Sequence, residues 1–223
     1  MEPLHRRRMI FVAGFAVYFV VLWALWPTLF IYPLKIFVVF LHELSHAIAG
    51  ALTGGHVESI TLSPREGGAT FVSGGNRFLM LSAGYLGSLF WGLLLLRAAS
   101  GRGRMPRTVL GILAITLLLA TAVLVRSGFG IIFGIVFGIT LFFASRRLPA
   151  NGVASVLTVL GLTSALYALL DIRDDVFARP SAPSDANMLA QLTGIPTLFW
   201  GCVWTAIALF ACWVMLRRLY SRV

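Results

Sequence analysis

The sequence predicts an all-α polytopic membrane protein of about seven transmembrane helices, with a small β-hairpin after the second span. Composition is the first reason. Apolar residues make up 59% of the 223 residues and charged residues 12%, where a soluble domain is about 45–50% apolar and about 25% charged. Half the usual charge cannot cover a water-facing surface of this size, so an ordinary cytosolic globule and a disordered chain are both excluded. Patterning is the second reason. The apolar residues form runs near the ~20 residues that a spanning helix needs, and the mean hydropathy is +0.90. The third is the placement of charge. The net charge is +10, from 18 Lys+Arg against 8 Asp+Glu. Most of the arginines sit at the ends of apolar runs, at Arg6–Arg8, at Arg97, Arg102, Arg104 and Arg107, at Arg146 and Arg147, and at Arg217, Arg218 and Arg222. That is how juxtamembrane anchors are arranged, and it speaks against a nucleic-acid partner.

The runs follow one another as a single domain over residues 1–223. The first, Met9–Ile31, follows three arginines and resembles a signal peptide, but no small-x-small site closes it before Pro27, so it reads as an uncleaved span. Pro27 and Pro33 bracket the connection to the second span, Leu34–Leu52. Residues 54–77 then alternate apolar and polar side chains around a Pro/Gly-rich turn. Val57, Ile60, Leu62, Phe71 and Val72 add strand propensity, which predicts a β-hairpin at or dipping into a membrane face. Three further spans follow at Phe78–Leu96, Thr108–Val125 and Phe129–Ala144. The last of these carries Gly130, Gly134 and Gly138, a small-xxx-small face suited to close helix packing. The sixth span is Gly152–Leu170. Residues 171–194 form an acidic loop holding four of the eight acidic residues. Within it Ser184 marks the start of a short helix, with Asp185 in its first turn and Gly194 at its end. The seventh span is Ile195–Leu216.

Trp23, Trp26, Tyr32, Trp200 and Tyr220 lie near run ends, where amphipathic rings favour the headgroup layer. Basic residues divide nearly evenly between the two faces, so charge does not set the orientation. Cys202 and Cys212 stand ten residues apart in one run, about 15 Å along a helix, and read as small apolar residues rather than a disulfide.

The residues that carry chemistry are His42-Glu43-Leu44-Ser45-His46, an HExxH pattern inside the otherwise apolar second span. Positions i and i+4 of a helix share a face, so both imidazoles can reach one tetrahedral Zn²⁺. Glu43, next to the first histidine, can take a proton from a metal-bound water whose pKa the metal lowers toward ~7. Ionisable groups within a span are costly and rarely idle. A third ligand is needed, commonly a carboxylate. Glu2 is terminal, Glu58 and Glu66 lie in the hairpin, and Asp171, Asp174, Asp175 and Asp185 form the acidic cluster. The second and sixth spans run in the same direction, which brings His46 and Asp171 to similar depth. Asp171 is therefore the expected third ligand, with Asp175, one turn further, as the alternative. His5 reads as a tail charge and His56 as a surface residue.

The stretch FLHELSHAIAG in a span, followed by TGGHVESITLSPREGGAT and SAGYLG and later by DIRDDVFARP and SDANMLAQLTGIPTLFWG, resembles the site-2 protease family of intramembrane zinc metallopeptidases. It is most similar to the compact bacterial peptidase-B-like branch. The resemblance covers roughly residues 35–205. It implies a zinc site below the membrane surface, with His42 and His46 as ligands and Glu43 as the catalytic carboxylate. It also implies a hairpin that holds an extended substrate by strand addition, which is physically sensible because a helical substrate hides its carbonyls. Better-known members carry Asn-Pro ahead of a Leu-Asp-Gly whose aspartate binds the metal. Here Leu170-Asp171-Ile172 matches only in part.

These observations predict a zinc metalloendopeptidase acting on membrane-embedded or membrane-adjacent peptide. Its cofactor would be Zn²⁺ and its surroundings membrane lipids, in the bacterial inner membrane. The alternative is a non-hydrolytic scaffold or metal-ion carrier of the same fold. Transport usually calls for polar or broken helices in several spans, whereas here the intramembrane polarity gathers at one motif.

Overall fold

The computed structural model describes residues 13–14, 17–18, 20–22, 24–25, 28–173, 175–176 and 184–220. Its elements are α1 (Tyr32–Leu52), β1 (His56–Ser63), β2 (Gly67–Ser73), α2 (Arg77–Ala99), α3 (Met105–Val123), α4 (Gly128–Arg147), α5 (Ala150–Arg173), α6 (Asp185–Thr193) and α7 (Thr197–Tyr220). Six of these helices are long and apolar enough to cross a membrane, and the expected second to seventh spans each fall on one of them. The expected first span, Met9–Ile31, lies only in part within the described residues. Those described between 13 and 25 are helical, and Tyr18 donates a hydrogen bond to the Val159 carbonyl of α5 at 3.2 Å.

The helix starts follow local chemistry. Pro33 and Pro106 sit in the first turns of α1 and α3, where a residue without an N–H leaves no donor unsatisfied. Asn76 caps α2 by accepting a hydrogen bond from the Leu79 N–H. Ser184 does the same for α6 from Asn187, and Gly194, at φ 72°, closes that helix in the left-handed region that glycine enters without a Cβ penalty.

α1 is the central helix, with 72% of its spanning window buried, against 28% for α4 and 17% for α7. Ile36, Phe37, Val38, Phe40 and Leu41 are all buried, and they pack into a core with Leu110, Leu117, Leu157 and Leu160 of α3 and α5. α2 and α5 meet backbone to backbone. A Cβ added at Gly92 would stand 2.8 Å from the Gly161 carbonyl oxygen, and one at Gly161 would stand 2.9 Å from that of Gly92. Small residues let two helices approach this closely. α4 uses its glycine face in the same way, with Gly134 against Thr121 and Gly138 against Leu118 of α3.

β1 and β2 pair antiparallel, with Ile60 opposite Thr70 and a bulge between Val57 and Ser59. The outer edge of β1 is tied down, because the Ile60 N–H donates to the Leu124 carbonyl at 2.8 Å and the Ile60 carbonyl accepts from the Arg126 N–H at 3.0 Å. Among the described residues the sheet has two strands, so the outer edge of β2 pairs with none. The tip of the hairpin is clamped to the start of α1. Tyr32 donates to the Pro64 carbonyl at 2.8 Å, and buried Lys35 meets Glu66 at 3.0 Å. β2 therefore lies across α1 at the level of the HELSH turn, and Val72 packs on Gly50.

Candidate metal centre

The two histidines of α1 stand one turn apart, their ring centroids 4.7 Å from each other. Their Nε2 atoms converge on one carboxylate oxygen. Asp185 Oδ2 lies 3.0 Å from His42 Nε2 and 3.1 Å from His46 Nε2. These three ligand atoms all fall within 4.8 Å of one another. The opposite ring nitrogens are held from behind. His46 Nδ1–H donates to the Met80 carbonyl at 2.7 Å, and His42 Nδ1 faces Asp171 Oδ2 at 3.6 Å. A histidine whose Nδ1 is oriented in this way presents Nε2 to a metal.

The donor set fits zinc. Tetrahedral Zn²⁺ with ligands at about 2.0–2.2 Å places neighbouring ligand atoms roughly 3.3–3.6 Å apart. The two separations at Asp185 need to open by only a few tenths of an ångström to reach that range. Asp185 sits at the first position of α6, so its carboxylate projects from the helix start into the site. Burial raises the pKa of that carboxyl. The imidazoles act against burial and outweigh it, His46 foremost through its charge, and hold Asp185 well below the usual carboxylate range.

The other acidic residues stand elsewhere. Asp171, expected from the sequence to complete the ligand set, lies on the Nδ1 side of His42, behind the nitrogens that converge on Asp185. Asp175 accepts a 2.6 Å hydrogen bond from Tyr85. Glu66 pairs with Lys35, and Glu58 accepts from the Ser73 hydroxyl. Glu2, Asp174 and His5 lie outside the described residues, and His56 is exposed at the start of β1. α5 brings Asp171 within reach of His42, and the order of the spans carries no information about which side of the ring a carboxylate meets.

Glu43 is buried, 6% exposed, and turned toward β2. Its carboxylate meets the Thr70 hydroxyl at 2.7 Å, and its other oxygen lies against Gly68, where an added Cβ would stand 2.7 Å away. Gly84 of α2 underlies the group formed by His42 and Asp185. A Cβ there would collide with His42 Nε2 and stand 2.6 Å from Asp185 Oδ2. Tyr85, next in the chain, is buried with its ring edge-on to His42. None of Thr70, Gly68, Gly84 or Tyr85 was picked out by spacing. Their only signal in the sequence is that they fall in the GGAT and SAGYLG stretches. A cleft of about 570 Å³ opens onto the site, lined by His42, Glu43 and His46 of α1, by β2 from Gly67 to Thr70, and by Asp171, Asp175 and Asp185. It joins the deep imidazoles to the backbone of β2.

A family model described as Peptidase M50B-like matches residues 15–215 of the chain. No curated relative matches, and no solved structure matches.

Proposed function

The chain belongs to the Peptidase M50B-like family, among the zinc metallopeptidases of the site-2 protease group, and we propose that it is an intramembrane zinc endopeptidase whose metal is held by His42, His46 and Asp185. What carries the reading is the convergence of two Nε2 atoms and one carboxylate oxygen within 4.8 Å of one another, beside Glu43 and below a cleft lined by a strand. A zinc ion bound there would supply Lewis acidity and a water of lowered pKa.

The residues of the chain account for the remaining steps. Glu43 takes the proton of the attacking water and later delivers it to the leaving amine nitrogen. The Met80 carbonyl and Asp171 hold the two imidazoles with Nε2 forward. Asp171 thus acts behind His42 rather than as a ligand, and Asp175 acts through Tyr85. The substrate is a membrane-embedded or membrane-adjacent peptide. It enters the cleft in extended form and pairs with the outer edge of β2, which among the described residues meets no other strand and replaces the hydrogen bonds that the substrate's own helix gives up. The resemblance noted in the sequence supports the bacterial inner membrane as the setting.

The test is direct. The purified protein should carry about one zinc per chain and cleave a fluorogenic single-span peptide in phosphatidylcholine vesicles. Glu43→Gln should keep the metal and lose cleavage by at least about 10²-fold. Absence of metal from the wild type, or cleavage that persists in Glu43→Gln, would sink the proposal. Zinc flux into vesicles that survives Glu43→Gln would point to a carrier instead.

A further inference from the structure

Thr70 stands at the middle of β2, opposite Ile60, and lines the cleft. Its Oγ1 lies 2.7 Å from Glu43 Oε2 and 2.9 Å from the Glu43 main-chain oxygen. Gly68, two residues earlier, is on the same side of the strand. A Cβ there would come within 2.6 Å of Glu43 Cγ and 2.7 Å of Oε1. One carboxylate oxygen of Glu43 is thus bound by a hydroxyl, and the other rests against bare backbone. Resting on the peptidase reading above, we propose that Thr70 is a positioning residue for Glu43, and that β2 therefore serves the proton-transfer step as well as the substrate.

The chemistry of the hydroxyl suits that role. It has one hydrogen to donate and lone pairs to accept with. While Glu43 is ionised, the hydroxyl donates to Oε2 in a charge-assisted bond. Once Oε2 carries a proton, Oε2–H donates to Oγ1, and the hydroxyl hydrogen turns to the Glu43 main-chain oxygen. Both acceptors belong to the same residue and lie within reach, so the exchange moves hydrogens and no heavy atom. The carboxylate keeps one orientation before and after it takes the proton. A valine at position 70 would fill the same space and do neither. A serine would do both.

The experiment compares Thr70→Val and Thr70→Ser with wild type and Glu43→Gln, using the fluorogenic single-span peptide in phosphatidylcholine vesicles. Misplacing a reacting group by about 1 Å can cost about 100-fold in rate. Thr70→Val should accordingly lose about 10- to 100-fold in kcat, with KM within about twofold, while Thr70→Ser stays within about threefold of wild type. Zinc content and melting temperature should be unchanged in both. A wild-type kcat in Thr70→Val would overturn the proposal. So would a loss that Thr70→Ser shares, or one that comes with lost zinc or early melting. Infrared difference spectra of wild type against Glu43→Gln isolate the Glu43 carboxylate band without any turnover. Thr70→Val should shift that band, and an unmoved band overturns the proposal by itself. If the band shifts but the wild type cleaves nothing, the peptidase reading fails while the contact to Glu43 stands.

Discussion

α1 and the segment from Asp171 to Gly194 both deliver polar side chains to one cleft, and they do so by different means. In α1 the histidines at 42 and 46 share a face because helix geometry repeats every 3.6 residues, and the hydrophobic residues around them bury the rest of the helix. Spacing alone sets that half of the site. In the acidic segment, Asp171 and Asp175 lie near the end of α5 and Asp185 at the start of α6. No period relates them. Asp185 meets both imidazoles because α6 packs on α2 and Ser184 caps it there, whereas Asp171 reaches His42 from behind. A motif carried on one helix tolerates movement of its neighbours as a unit. A ligand brought from another element depends on every contact that docks that element.

This contrast can be broken at several points. The largest effect is expected from Asp185→Asn, which removes the charge of the proposed third ligand. It should lower zinc affinity by at least about 10³-fold, read by competition with a chelator, while Asp171→Asn, acting through His42, should cost only about 10- to 100-fold. The reverse order would exchange the roles assigned to the two carboxylates. Next comes Gly84→Ala. Its Cβ would occupy space held by His42 Nε2 and Asp185 Oδ2, so zinc occupancy and cleavage should both fall by at least about tenfold, with little change in melting temperature, since the collision is with the site rather than the core. Normal zinc binding in that variant would mean that the close approach of α2 does not shape the site. Smaller still is Glu66→Gln, which leaves buried Lys35 facing an uncharged partner. A destabilisation of about 1–3 kcal/mol is expected in chemical denaturation, at the low end because the Glu66 side chain is 40% exposed. The smallest is Ser184→Ala. Losing an N-cap costs about 1 kcal/mol. It should show as faster hydrogen exchange at the amides of α6 and a modest loss of zinc affinity, with none at the amides of α1.

Much of the fold could be read directly. The runs of apolar residues mark six described spans, prolines and glycines mark their ends, and alternation between Gly54 and Arg77 marks the hairpin. These features are legible because each depends on residues close together in the chain. The start of α6 was legible for the same reason, since an N-cap serine and a left-handed glycine are local requirements. Asp185 was therefore visible as a carboxylate in a first turn. That it faces the histidines was not, because the docking of α6 against α2 leaves no period in the sequence. Thr70, Gly68 and Gly84 are harder again. Each matters through its distance to a residue more than twenty positions away, and a glycine required for close approach looks like any other glycine.

The sequence by itself determined the membrane setting, the order of helices and hairpin, and the turn of α1 that carries His42, Glu43 and His46, because hydrophobic runs and helix periodicity act over a few residues at a time. Only the tertiary structure decided which aspartate meets the Nε2 atoms, which one backs His42, and which strand residue holds Glu43. Those contacts join elements that helix packing brings together, and packing obeys shape and close approach, which chain spacing does not encode.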